Sequence, residues 1–405
     1  MGKYNFDVVP DRHATHAMKY DDLTQLFGRD DLTPLWIADM EFAVCPEITE
    51  ALRRRIDHPV YGYSCPGDGY WSSIVEWLRR RHGFEVERQW LAFVPGVVRG
   101  IAYAVNYFTR PGDKIVIQPP VYHPFRIVSE GNGRRVIENP LVPGDGDEWF
   151  YRMDLDGLEQ IFATERPRMM ILCNPHNPVG LQWDADTLRH VARLAYRYGV
   201  IVISDEIHGD LMLYNRRHIP FASVSDEAAA VSVSFGAPSK TFNIPGLTSS
   251  WMIVPNAELR DGFYNWMEVN EFSSPFFSAT VATEVAYRKG EPWLDELIPY
   301  IEGNIEAVDR YLRDNLPQIH AVRPQASFLI WLDCRELGLP QSGLERLFID
   351  GAHLALNSGT MFGRQGEGFM RLNVAHPRAA LIAALSQVKD AVAALSQVKD
   401  AVAAL

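Results

Sequence analysis

The chain has 405 residues, 47% of them hydrophobic and 22% charged, and a formal net charge of −12. That is enough chain for one large or two medium globular domains. The acidic balance argues against general affinity for nucleic acid or an anionic membrane surface, while leaving room for a local cationic site. Four cysteines, Cys45, Cys65, Cys173 and Cys334, form no CxxC pair. This argues against a zinc ribbon and a disulfide framework and suits a reducing compartment. The opening residues carry no apolar core of signal-peptide length, and no apolar run reads as long enough to span a bilayer. A cytoplasmic protein is expected.

Residues 1–45 read as an irregular arm belonging to a smaller domain. A helix is predicted over 46–55, with proline in its first turn and Ile48, Leu52 and Ile56 on one face. The loop Tyr61-Gly-Tyr-Ser-Cys-Pro-Gly-Asp68 follows, and Tyr61 and Tyr63 there read as packing residues on local grounds. A second helix is predicted over 70–81. Strand-like runs at 90–94, 114–118, 169–173, 200–204, 230–234 and 251–254 then alternate with helical patterns, clearest at 97–108, 124–130 and 185–198. The alternation predicts an α/β fold whose large domain, 46–284, has a mostly parallel sheet flanked by helices. Residues 285–405 read as a smaller α+β domain, with a long helix over 293–315, strands at 326–332 and 368–374 and a closing helix. The termini are expected to pack together there.

The tail holds a duplication: residues 383–392 recur identically as 393–402. Ten residues at about 100° each rotate the second copy by about 80° against the first, so its apolar stripe does not continue straight down one face.

Ligands of parallel sheets bind at the carboxyl ends of the strands, and the informative motifs all fall there. Pro95-Gly-Val-Val-Arg-Gly100 joins a strand to a helix, where free N–H groups and the helix dipole can make an anion site, though on local grounds alone a tight packing turn is the stronger reading. Tyr122, in Gln118-Pro-Pro-Val-Tyr-His-Pro124, stands where an aromatic ring can stack on a planar ligand. In Cys173-Asn-Pro-His-Asn-Pro-Val-Gly180, two Asn-Pro pairs restrict the loop and aim the amide of Asn177. Asp205 follows a fully apolar strand, so its carboxylate needs a cationic or donor partner. Its neighbours Glu206, His208 and Asp210 lack a metal-ligand pattern, and no metal is expected. Lys240, in Ser234-Phe-Gly-Ala-Pro-Ser-Lys240, has no local carboxylate. It reads either as a lysine reaching solvent or as a desolvated amine fit to form a Schiff base with an aldehyde. Arg371 sits in an apolar strand, where a guanidinium wants a bidentate anion or a structural ion pair.

Lysine, upstream aspartate, asparagine, aromatic plate, phosphate cradle and carboxylate-binding arginine together suit pyridoxal phosphate acting on an amino acid. The sequence also resembles fold type I pyridoxal-phosphate enzymes of the class I/II aminotransferase superfamily, and more narrowly the cystathionine β-lyase or C–S lyase branch. The matching stretches are Asp11-Arg-His13, Ala38-Asp-Met40, Tyr61-Gly-Tyr-Ser64, Asn174-Pro-His-Asn-Pro178, Ser204-Asp-Glu-Ile-His208, Ser239 through Leu247, Arg371-Leu-Asn373 and Pro377-Arg378. The resemblance implies that Lys240 holds the cofactor aldehyde and acts in catalysis with Tyr122. It implies that Asp205 pairs with the ring nitrogen, that Asn177 faces the ring oxygen with His208 nearby, and that Tyr122 stacks on the ring. Gly96, Val97, Val98 and Ser239 would hold the phosphate, and Arg371 with Asn177 the substrate carboxylate. Tyr63 would reach across a homodimer interface to the neighbour's phosphate and substrate. Where many aminotransferases carry a basic residue eight positions after the lysine, this sequence has Thr248, which leans toward the lyase branch. The activity implied is α,β-elimination on L-cystathionine or another cysteine S-conjugate, giving thiol, pyruvate and ammonia. An aminotransferase and a cofactor-loaded regulatory protein are the alternatives.

Overall fold

The computed structural model of the chain describes residues 2–143 and 151–403. The alternation read between 90 and 254 becomes a seven-stranded sheet in the order Leu91–Val94, Ser250–Ile253, Ser232–Gly236, Ile201–Asp205, Met169–Cys173, Lys114–Ile117, Arg135–Glu138. All strands run one way except Ser250–Ile253, which is antiparallel to both neighbours. Side chains alternate between the faces, and helices cover both, which is why the central strands are apolar at nearly every position. On one face Ile101 and Val105 of helix Val97–Phe108 pack with Phe263 and Met267 of helix Ala257–Val269 against Ile115, Ile171 and Val233. On the other, Leu158, Phe162, Leu188 and Val191 of helices Leu155–Glu165 and Ala185–Tyr198 pack against Val116, Met170 and Val202. Gly100 lets the first of these helices lie close, since a Cβ there would stand 2.4 Å from the Phe235 ring. The register pairs Cys173 with Asp205 and Asp205 with Phe235, so adjacent strands end at one edge.

A four-stranded antiparallel sheet follows, in the order His320–Val322, Leu329–Asp333, Phe369–Asn373, Asn357–Ser358. One core cluster joins Phe6, Leu35 and Met40 near the start of the chain to Trp293, Leu297 and Ile301 of helix Glu291–Asn315 and to Leu381 and Leu385 of the last helix. The two ends of the chain therefore do pack together.

The structure corrects several sequence boundaries. The strand expected at 230–234 runs instead over Ser232–Gly236, because Ser225 caps a short helix, Asp226–Val231, by accepting the N–H of Ala228. The strand expected from 326 begins at Leu329; Ser327 has a φ of 76°, and Ala326 bridges to Met212 instead. The edge strand Arg135–Glu138 and helices Leu155–Glu165, Ala257–Val269 and Phe277–Lys289 are additions to the sequence reading. Charged residues at an edge position mask the strand signal. Against expectation, the stretch Arg378–Gln397 is long and apolar enough to cross a bilayer by length and composition. Its Leu381, Leu385 and Val388 are buried in the protein core. Along that helix the duplication changes environment. Ala384 and Leu385 of the first copy are buried, whereas Ala394 is exposed and Leu395 half-buried, as the rotation between copies requires. The second copy's side chains from Val398 onward lie outside the described residues.

Candidate active site

The carboxyl edge of the large sheet opens into a cavity of about 570 Å³. Every residue nominated from sequence lines it except Tyr63. Five strand ends of the large sheet deliver these side chains except Arg371, each because the apolar run stops there and a Gly, Pro or polar residue turns the backbone; Arg371, against expectation, comes from the middle of strand Phe369–Asn373 in the smaller sheet. Gly96, with φ at 123°, turns the first strand directly into helix Val97–Phe108, leaving the N–H groups of Val97 and Val98 without helical acceptors and facing the cavity. Arg99, which the sequence reading did not nominate, lies at the same lip and donates to the Pro95 carbonyl at 3.2 Å. Thr248 lines the cavity with a φ of 48°, and Ser239 is buried against it.

The charged groups at the floor are under-partnered. The Asp205 carboxylate is buried and accepts one hydrogen bond among the described residues, from the Ile207 N–H at 3.1 Å. Burial pushes it up to about 7, with Glu206 adding repulsion and Lys240 relieving some of it. The Lys240 amine donates to the Ala38 carbonyl at 2.6 Å and pairs with no carboxylate among the described residues. Desolvation lowers it to about 8 against the pull of Asp39 and Asp205. Arg371 donates to Asn177 Oδ1 at 3.0 Å and to Asn357 Oδ1 at 2.6 Å, and its plane lies 4.8 Å from the Phe362 ring centre. Its Nε has no partner, and no carboxylate pairs with it among the described residues. Burial lowers it to about 10. His208 is buried with Nδ1 unpartnered and is lowered to about 3, by burial and then by Lys240 and Arg371. Burial raises the Tyr122 phenol, with Asp205 adding to the effect. His123 beside it has an unpartnered Nδ1 and is lowered to about 4 by burial and Arg371.

Asp205, Glu206, His208 and Asp210 do not converge. Glu206 turns away to His218 and Asp210 to His82, and no group of three or more metal-ligating side chains forms among the described residues. Tyr63 stands fully exposed on the loop before helix Asp68–His82, away from the cavity of its own chain. Residues missed by sequence reading include Met18, Trp36 and Ala38 from the N-terminal segment and Asn357 from the smaller sheet. Of these only Ala38 stood in a recognisable motif. The unpaired acid fits a cationic ring nitrogen, the free amine fits an aldehyde, and the helix start with Ser239 fits a phosphate.

The fold is that of the fold type I pyridoxal-phosphate enzymes. The chain belongs to the aminotransferase class I and II family, whose model matches residues 30–388. Cystathionine beta-lyase PatB of Bacillus subtilis (strain 168) is 43% identical over 388 residues, which is 96% of this chain and 100% of that protein. Protein MalY of Escherichia coli (strain K12) is 34% identical over 391 residues, 96% of this chain and 99% of the relative. Among solved structures, cystalysin from Treponema denticola, which contains a pyridoxal 5'-phosphate cofactor, matches with a TM-score of 0.92 at 32% identity, over 97% of this chain and 99% of its own.

Proposed function

We propose that this chain is a pyridoxal-phosphate-dependent carbon–sulfur lyase. In this reading it cleaves L-cystathionine or another L-cysteine S-conjugate by α,β-elimination to a thiol, pyruvate and ammonia. The observation that carries the reading is Arg371, a buried guanidinium without a carboxylate partner among the described residues, in the same cavity as the unpaired Lys240 amine. The sulfur chemistry is supported by the 43% identical relative named cystathionine beta-lyase.

When bound, pyridoxal phosphate supplies an aldehyde for the substrate amine and a ring that withdraws electrons from Cα. The chain does the rest. Arg371, oriented by Asn177 and Asn357, receives the α-carboxylate through its remaining N–H groups. Asn177, with Oδ1 engaged by Arg371, keeps its amide N–H groups as donors to the ring oxygen. Asp205 would be the counter-charge for the ring nitrogen, and Tyr122 would cover the ring. The N–H groups of Val97 and Val98, the Ser239 hydroxyl and Arg99 would hold the phosphate, a task that Thr248 leaves to them. Lys240, lowered to about 8, has a neutral fraction near neutral pH and takes the Cα proton. The Cβ–S bond then breaks with its electron pair on sulfur, and Lys240 or Tyr122 returns a proton to the thiolate. Water releases the carbon fragment as pyruvate and ammonia.

The working unit in this reading is a cytoplasmic homodimer in which Tyr63 reaches the neighbouring subunit's phosphate. Val60, Tyr61 and Tyr63 of one loop are all exposed, which suits a surface covered by a second copy. The four free cysteines suit a reducing compartment. The test is product analysis on the purified, cofactor-loaded protein with a panel of cysteine S-conjugates. Equal amounts of thiol and pyruvate without any oxo-acid acceptor are expected. Turnover that requires an acceptor and leaves the C–S bond intact would replace the lyase with an aminotransferase. A monomer in sedimentation at assay concentration would remove the dimer.

A further inference from the structure

Residues 11–41 supply no group to the chemistry above, yet they carry a buried ion cluster that abuts the reacting amine. Lys19, on the short helix Met18–Asp21, is 1% exposed. Its ammonium stands 2.8 Å from Glu41 Oε1, 3.3 Å from Asp39 Oδ1 and 3.4 Å from His376 Nε2. Arg12 bridges the same two carboxylates, at 2.7 Å from Asp39 and 3.0 Å from Glu41, and the Tyr20 hydroxyl donates to Glu41 at 2.6 Å. Two cations thus balance two anions, Lys19 and Glu41 buried and Arg12 and Asp39 partly exposed, an arrangement that costs desolvation and pins geometry.

The segment so pinned is the one that meets Lys240. Asn373 Nδ2 donates to the carbonyls of Ile37 and Asp39 at 2.8 and 2.7 Å. Asn243 Nδ2 donates to those of Met40 and Phe42, both at 2.9 Å. Lys19 adds a second bond to the Asp39 carbonyl at 3.1 Å. The Ala38 carbonyl lies between these clamped groups and accepts from Lys240 instead, at 2.6 Å.

We infer that the Lys19–Asp39 pair is a positioning device for Lys240: it fixes the Ala38 carbonyl as the amine's acceptor and sets the negative charge that the amine faces. The inference rests on the reading of Lys240 as the reacting amine. The charged groups around that amine are Asp39 and Asp205, which favour its protonated form, and Arg371 and Lys19, which oppose it. Around Lys19 stand Asp39, Glu41 and His376, backed by Arg12 and Tyr20.

Opposed shifts are the signature. Lys19→Met leaves Asp39 less neutralised and should raise the Lys240 pKa by about one unit, while Asp39→Asn should lower it by a similar amount. Lys19→Arg should restore the wild-type value. The readout is competitive acylation of Lys240 against pH in the full-length, cofactor-free chain, quantified by mass spectrometry. In the loaded enzyme the acidic limb of kcat should move the same way, with KM changed less than about threefold. Shifts of one sign in both variants, or none, would reduce the cluster to scaffolding. If Lys19→Met does not fold, Asp39→Asn decides alone: a downward shift supports the inference and an unchanged pKa overturns it. Acylation needs no lyase activity, so a chain with opposed shifts but no pyruvate release would sink the lyase reading and keep the device.

Discussion

Asp205 and Asp210 lie five residues apart, one ending a sheet strand and the other just beyond it; Asp205 is buried and the Asp210 side chain is 8% exposed, yet they live in opposite electrostatic worlds. Asp210 accepts from His82, Trp77 and Thr241, each at 2.8 Å. Burial pushes its carboxyl up, but these donors outweigh that, and it ends below the ordinary range. Glu206 turns to the same side, accepting from His218 at 2.9 Å, from Ser204 at 2.8 Å and from the Phe221 N–H at 3.0 Å. The rings of His82 and His218 pack edge to face at 5.2 Å. Asp205 faces the ligand cavity with one backbone N–H and, among the described residues, no cation in hydrogen-bond contact, and it rises to about 7. A buried charge whose partners are all protein groups is structure. A buried charge left wanting a partner marks where a ligand belongs. The same contrast separates Lys240 from Thr241: one side chain points to the ligand cavity, the next locks onto Asp210.

That contrast can be broken by substitution. Lys240→Ala should lower pyruvate release by at least about ten-thousandfold while far-UV circular dichroism stays unchanged, because an unreplaced general base and covalent anchor are both lost. Wild-type release would end the assignment. Arg371→Leu should cost about a thousandfold in kcat/KM, as truncating a buried charge that binds an anion does. An unchanged value would make Arg371 a structural group.

Asp210→Asn should destabilise the protein by about 3 kcal/mol, read as a lower urea midpoint, since three donors lose a charged acceptor. Asp205→Asn should do the reverse in the cofactor-free chain. The folded-state pKa of Asp205 lies above its unfolded value of about 4, so the folded protein binds that proton more tightly and loses stability as pH rises from about 4 to about 7. Removing the acid should therefore stabilise the cofactor-free chain by about 1–2 kcal/mol above pH 7 and have little effect below pH 4. A destabilised Asp205→Asn variant at pH 8 would erase the distinction between the two aspartates. The smallest effect is expected from deleting residues 393–402. Their exposed start contributes little to the core, and specific activity should be unchanged. Loss of activity would assign the second copy a role.

Much of the site was legible because chemistry-bearing residues interrupt apolar strands. Asp205 and Arg371 stand out as charges in or after runs that otherwise predict burial, Lys240 as a lysine with no local carboxylate just past a strand, and the Asn-Pro pairs around Asn177 as backbone constraint. Tyr122 and Gly96 were legible by position at a strand end. Arg99 and His123 lay inside quoted motifs but carried no separate signal, since an arginine on a helix start and a histidine beside a proline are ordinary surface residues. Asn357 had no signal at all. The helices 155–165 and 277–289 escaped because their mixed polarity gives no clean period, whereas 185–198, with a sharply one-sided apolar face, was read to the residue.

By itself the sequence determined the order of the central strands and of the most one-sided helices, hence which residues sit near the large sheet's strand ends, and which chemical groups stand there. Only the tertiary structure decided their partners. The Arg371–Asn177 bond closes across 194 residues and the Lys240–Ala38 bond across 202. Periodicity records that a face is buried, not which distant segment buries it. For that reason a lysine without local carboxylates could be read from the sequence, while the carbonyl that holds it, and the buried Lys19 cluster behind that carbonyl, could not.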